Sequence, residues 1–205
     1  MNLPNKLTMI RIMIIPIIII VSVINALNID LNPDWANGGI NITVQNLIIL
    51  ILFAIASFTD FLDGHIARKN NLVTDFGKFM DPLADKLLVM SALLILLEQG
   101  KLNVFGIGLG FVVIIILARE FMVTGIRLLA LQSNNNVIAA SNLGKAKTAT
   151  QMAMIILVFF DFSFGTSFNI ADLIKLVIIL IPFTLTVVSG VDYFWKNRNI
   201  ILKDR

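Results

Sequence analysis

The sequence predicts an all-α integral membrane protein with six transmembrane helices and both termini cytoplasmic, and three observations carry that reading. First, 58% of the 205 residues are hydrophobic and only 14% charged, with a mean hydropathy of +0.90. Ordinary soluble domains run near 45–50% apolar and about 25% charged, and a soluble fold of this size could not hide so much apolar surface. Second, six stretches approach the roughly 20 apolar residues that a helix needs to cross a bilayer. They are Leu7–Leu27, Thr43–Arg68, Phe76–Leu97, Phe105–Leu131, Ala146–Phe160 and Leu173–Tyr193. Third, the connections between them alternate in charge. The same composition excludes a disordered chain and a nucleic-acid-binding module. With no cysteine, disulfides, thiolate metal sites and cysteine nucleophiles are impossible.

Each stretch has its own justification. Leu7–Leu27 resembles a signal peptide but lacks a small-x-small cleavage site before Asn25 and is followed by further spans, so it is expected to be retained. The second and third spans meet across a short polar connection, and the fourth carries two arginines inside an apolar run. The fifth is the shortest, because only 13 residues separate Lys147 from Asp161, so it must start among polar residues or tilt. The sixth ends in a basic tail. Continuous apolar runs at Ile12–Ile24 and Val112–Leu117 lack the alternation of a β-barrel strand. No repeat or linker divides the chain, so 1–205 is expected to be a single membrane domain.

Asn28–Ile42 and Asp161–Asp172 contain Asp30, Asp34, Asp161 and Asp172 but no Lys or Arg. The bases fall on the other side, at Lys6 and Arg11, Arg68 and Lys69, Lys145 and Lys147, and Lys196, Arg198, Lys203 and Arg205. The positive-inside rule then places both termini and the turns after the second and fourth spans in the cytoplasm. Trp35 and Trp195 fall at opposite faces, as interfacial anchors should.

Acidic residues near bilayer depth are rare and functional by default. Four gather at one cytoplasmic hairpin: Asp60 and Asp63 end the second span, Asp81 and Asp85 open the third. Asp60, Asp63, Gly64 and Ala67 share one helical face, and Gly77, Asp81 and Asp85 repeat the pattern. Pro82 suits a first helical turn, which leaves open whether Gly77 is helical or in the loop. Four like charges cannot sit together unpaired. Oxygen ligands without His or Cys favour Mg²⁺ or Mn²⁺, and small neighbours leave room for a phosphate-bearing substrate.

The run Asp60-x-x-Asp63-Gly64-x-x-Ala67-Arg68, followed by Gly77-x-x-x-Asp81-x-x-x-Asp85, resembles the signature of the CDP-alcohol phosphatidyltransferase family at every fixed position. The likeness extends to Pro4-Asn5-x-Leu7-Thr8-x-x-Arg11, to Asp81-Pro82-Leu83-Ala84-Asp85-Lys86, and to Ala118-Arg119-Glu120 and Gly125-x-Arg127. Gly144-Lys145-x-Lys147-Thr148-x-x-Gln151 completes it. These are typical of the branch that uses glycerol 3-phosphate. The resemblance implies six spans and a multi-pass enzyme of the cell membrane with its active site facing the cytoplasm. It implies transfer of a phosphatidyl group from CDP-diacylglycerol to sn-glycerol 3-phosphate, giving phosphatidylglycerol phosphate and CMP. Asp60, Asp63, Asp81 and Asp85 would hold two divalent ions, Mg²⁺ or Mn²⁺, and Asp85 would be the catalytic base. Gly64, Ala67, Arg68 and Gly77, with Asn5 and Thr8, would cradle the CDP moiety. A homodimer among membrane lipids is the family's common state.

The acceptor is a phosphomonoester and requires cations. Arg119 and Arg127 are two helical turns apart on one face, and Lys145 and Lys147 follow at the start of the fifth span. Against this stand snorkelling lysines and a purely structural Arg119–Glu120 pair. His65 and Lys86 are expected to be structural. Rival readings are a cardiolipin-forming enzyme or another acceptor within the family, and, more distantly, a cation or solute transporter. The absence of a matching acidic cluster in the other half disfavours transport.

Overall fold

The structure, a computed structural model, describes residues 3–34, 39–69, 75–134, 142–163 and 170–201. Six α-helices appear among them: α1 (Leu3–Val23), α2 (Val44–Lys69), α3 (Asp75–Glu98), α4 (Gly110–Asn134), α5 (Asn142–Val158) and α6 (Ile170–Ile201). The remaining elements are small. A 3-10 turn, Asn25–Leu27, follows α1, and β1 (Gly39–Asn41) pairs antiparallel with β4 (Asp161–Ser163). A hairpin of β2 (Asn103–Val104) and β3 (Ile107–Gly108) precedes α4. The fold is all-α, as expected.

Asn5–Val23 and Ile170–Arg198 are long and apolar enough to cross a membrane, and only 28% of each apolar window is buried within the protein. The apolar part of α2, Val44–Thr59, is shorter. Large apolar side chains such as Ile20, Phe58, Ile114, Phe121 and Val191 stand exposed. An aqueous protein would not tolerate so much uncovered apolar surface, whereas lipid accepts it.

Several boundaries differ from expectation: α1 lies some four residues earlier, α6 runs on to Ile201 rather than Tyr193, and the fourth helix begins at Gly110 rather than near Phe105. That last shift arises because Phe105 and Gly106 turn the β2–β3 hairpin with φ of 51° and 75°. A two-residue type I′ hairpin turn needs positive φ at both central positions. Glycine supplies it freely, while at Phe105 the backbone N–H donates to Asp172 Oδ2 at 3.1 Å. Gly77 lies within α3, not in the preceding connection, and Pro82 is inside the helix. The fifth helix starts among polar residues at Asn142, as its short apolar run requires.

The chain packs as two compact units, Met1–Lys101 with Phe159–Phe168 and Leu102–Val158 with Asn169–Arg205. In the first, α1 packs against both α2 and α3, which meet each other much less. The buried stripe of α1 runs Asn5, Thr8, Arg11, Ile15, Ile18, polar at its amino-terminal end and apolar beyond. Gln45 Nε2 closes the far end of α1 by donating to the carbonyls of Val21 at 3.0 Å and Ser22 at 2.9 Å. Thr43 caps α2, its hydroxyl accepting the Asn46 N–H at 3.2 Å. Lys101 and Asp161 pair at 2.6 Å beside the β1–β4 ladder. In the second unit α6 packs against both α4 and α5. Its buried stripe is Ile179, Pro182, Thr186, Ser189, Gly190 and Tyr193.

Candidate active site

The acidic hairpin belongs to the first unit. The backbone places Asp60, Asp63, Gly64, Ala67 and Arg68 in the last turns of α2, and their side chains lie outside the described residues, as does that of His65. On α3, Gly77 is buried and Asp81 and Asp85 are half-buried. Asp81 and Asp85 are four residues apart in a continuous helix, hence on one face. Thr8 Oγ1 donates to Asp81 Oδ1 at 2.5 Å, so the start of α1 meets the start of α3. This bond fixes one carboxylate oxygen of Asp81.

Around that contact the polar half of α1 is buried. Asn5, Thr8 and Arg11 are 9%, 1% and 0% exposed, and their spacing of three puts them along one side of the helix. Arg11, in the sequence a topogenic charge and the last residue of a family-like run but given no site role, is the largest fully buried side chain described. The i, i+3, i+6 run of Asn5, Thr8 and Arg11 was the signal that could have marked it. Among the described residues Asp81 and Asp85 offer carboxylate oxygens, which suit a hard divalent cation.

The predicted cations lie in the second unit. Arg119 on α4 reaches Glu120 Oε1 through Nη1 at 3.3 Å and Ser189 Oγ on α6 through Nη2 at 3.1 Å. Glu120 Oε1 also receives Nζ of Lys147 from α5. One carboxylate thus joins two cations from different helices. Lys147 is 4% exposed, which rules out the snorkelling expected of a lysine at a helix end. Lys145, one face away, is exposed. Arg127 lies two turns beyond Arg119, donates from Nε to Tyr193 Oη at 3.4 Å and covers that ring at 5.7 Å. The two arginines therefore share a face, as their spacing predicts, and both dock on α6.

Among the described residues, two polar groups of this unit are buried with nothing to bond: Arg119 Nε has no hydrogen-bond partner, and neither Oε1 nor Nε2 of Gln151 has one. A buried polar group left unpaired costs about 1–3 kcal/mol, so such groups call for an explanation. The side chains of Arg119 and Lys147 bring two positive charges to one carboxylate, Glu120, an arrangement that suits the approach of an anion. Sequence reasoning named Glu120 as a structural partner of Arg119 and Gln151 as the end of a family-like run, without a site role for either, and did not single out Ser189, Gly190 or Tyr193. A Ser–Gly pair within the apolar α6, and the chain's sole tyrosine, were the available signals for these last three.

These features define a helical protein with helices apolar enough to cross a membrane, a hairpin of carboxylates in one unit and an ion cluster of Arg119, Glu120 and Lys147 in the other. The CDP-alcohol phosphatidyltransferase family model matches residues 1–188, and the chain belongs to that family. Among its relatives is the Bacillus subtilis protein named CDP-diacylglycerol–glycerol-3-phosphate 3-phosphatidyltransferase. It is 46% identical over 202 residues, covering 96% of this chain and 95% of the relative. A Rickettsia bellii protein of the same name is 40% identical over 94% of this chain and 93% of its own length. One from Mycoplasma pneumoniae, again so named, is 36% identical over 80% of this chain and 70% of its own.

Proposed function

We propose that the chain transfers a phosphatidyl group from CDP-diacylglycerol to sn-glycerol 3-phosphate, releasing CMP and forming phosphatidylglycerol phosphate. Family membership defines the reaction class, and the relatives' names give its two substrates. The observation on the chain itself that carries the acceptor is the Arg119–Glu120–Lys147 cluster, half-buried at Arg119 and Glu120 and buried at Lys147. A zwitterionic acceptor such as serine has no use for two such cations, whereas a phosphomonoester dianion does.

In this reading Asp60, Asp63, Asp81 and Asp85 hold two divalent ions, Mg²⁺ or Mn²⁺. When bound, those ions supply charge neutralisation to the donor's diphosphate. Thr8 orients Asp81 for that task through its hydroxyl. Asp85 takes the proton from the acceptor's primary hydroxyl. The freed oxygen forms a bond to the phosphatidyl phosphorus as the bond to the CMP oxygen breaks. Gly64, Ala67, Arg68 and Gly77, with Asn5, line the CDP moiety. Arg119, Arg127, Lys145 and Lys147 receive the acceptor phosphate, with Arg119 and Lys147 at the centre.

The membrane arrangement belongs to the same proposal: six spans, both termini cytoplasmic, the active site on the cytoplasmic face of the cell membrane, and a homodimer. Exposed Trp195 at the end of α6, with the Arg198 guanidinium 4.9 Å from its ring centre, suits the headgroup level beside a basic tail.

Purified protein supplied with labelled glycerol 3-phosphate and CDP-diacylglycerol should form lipid product with Mg²⁺ or Mn²⁺ and none with chelator. Asp85→Asn should lower kcat by about 1,000-fold or more at an unchanged melting temperature, since general-base loss typically removes about 10²–10⁴ and metal ligation adds to it. Turnover near the wild-type rate by Asp85→Asn would remove Asp85 as the base. Turnover in chelator would remove the metal assignment.

A further inference from the structure

Gln151 is 2% exposed, and both its amide atoms lack a hydrogen-bond partner. It follows Lys147 by four residues, so the two stand one turn apart on the same face of α5. Lys147 is joined to Glu120, whose carboxylate also takes Arg119. Further along the same stripe Met154, Ile155 and Val158 are buried and apolar, and they offer the amide nothing. A long helical side chain leans toward the amino terminus of its helix, which carries the Gln151 amide toward the turn of Lys147. Arg119 Nε, in the same cluster, is likewise buried without a partner. The turn of α5 that follows Lys147 thus holds a carboxamide with one donor group and one acceptor group unused, and the ion cluster that Lys147 joins holds a guanidinium with a donor unused.

We infer that Gln151 reads the hydroxyl groups of the acceptor and sets its specificity. The inference rests on the acceptor proposed above. The cations recognise only the phosphate, and any small phosphomonoester satisfies them equally. Choosing among such esters requires a group that meets the polyol arm. A carboxamide both donates and accepts, and so matches a hydroxyl, which does the same. One helical turn is about 5.4 Å, the scale on which glycerol phosphate separates its phosphate from its C2 hydroxyl. The C2 hydroxyl is not attacked in the reaction, so a contact there discriminates without taking part in bond making. Gln151 is accordingly a specificity residue and not a catalytic one.

The test compares sn-glycerol 3-phosphate with 3-hydroxypropyl phosphate, which keeps the phosphate and the attacking primary hydroxyl but lacks the C2 hydroxyl. Wild-type protein should favour glycerol 3-phosphate in kcat/KM by about 30-fold or more, because a site built to bond a hydroxyl rejects the analogue lacking it. In Gln151→Met, which nearly conserves volume, that preference should fall to about threefold or less. The KM for CDP-diacylglycerol should stay within about twofold, and the melting temperature should hold or rise. Gln151→Leu serves as a second apolar variant and should behave alike. A preference unchanged in either folded variant would overturn the role of Gln151, as would an equal loss on both acceptors. Unfolding of both variants would also overturn it, since an amide with no partner in the protein has no bond to lose. Absence of lipid product from wild type with glycerol 3-phosphate would instead overturn the functional reading itself.

Discussion

At Gly190 the backbone of α6 comes so close to Arg119 that an added Cβ would stand 3.0 Å from its Cγ. Cγ lies near the root of the side chain, so the arginine cannot yield by moving only its tip. Ser189, the next residue, takes Nη2, and together the two residues seat the guanidinium. We expect Gly190→Ala to raise the KM for glycerol 3-phosphate about tenfold with a smaller change in kcat, the pattern of weakened substrate binding. Arg119→Ala should raise that KM by roughly 10- to 100-fold, the range for losing a hydrogen bond to a charged group. In both variants the KM for CDP-diacylglycerol should change by less than about twofold. Equal effects on the two substrates would mean damage to the fold. Arg119 was legible in the sequence because a charge inside an apolar helix stands out and its spacing to Arg127 fixes a common face. Its seat was not, since Ser189 lies 70 residues away and small residues carry no charge to betray them.

Among the elements, α1 does more than span. Its apolar half gives the unit a core at Ile15 and Ile18, while its first turns bury Asn5, Thr8 and Arg11. Thr8 ties α1 to α3 at Asp81. Partners that orient a ligating side chain typically affect metal affinity by about 10–100-fold. Thr8→Val, which keeps shape and removes the hydroxyl, should therefore raise the Mg²⁺ concentration for half-maximal activity about tenfold. An unchanged metal requirement would assign the bond to packing alone. The helices themselves were readable from hydropathy, with ends displaced by a few residues. The displacement at Phe105–Gly110 arises because hydropathy cannot register a turn made by positive φ in an apolar run, and α6 runs on to Ile201 because a helix can continue through a polar, basic tail. Gly77 was ambiguous because Pro82 signals a helix start, whereas α3 carries that proline inside.

For the molecule as a whole, the apolar surface that dominates the composition faces outward, as the exposed side chains of α1, α4 and α6 show. Three charged residues, Arg11, Lys101 and Lys147, are nevertheless buried, while others such as Lys6, Arg127, Lys145 and Lys196 stand exposed. Charge both at the surface and within the helices suits an enzyme whose lipid donor stays in the bilayer while its acceptor arrives from water. The aspartates Asp60, Asp63, Asp81 and Asp85 and the cations Arg119, Arg127, Lys145 and Lys147 were both legible as clusters along the chain. Their assignment to separate packing units was not, because short-range spacing says nothing of which helices share a core. The most direct measurement is an acceptor competition. Purified protein in CDP-diacylglycerol micelles with Mg²⁺ would receive glycerol 3-phosphate, inositol phosphate, serine and phosphatidylglycerol at equal concentration, and the lipid products would be resolved. We expect phosphatidylglycerol phosphate to exceed every other product by about 100-fold or more, the discrimination open to a site with dedicated polar contacts. Cardiolipin as the main product, or comparable use of serine, would refute the acceptor assignment.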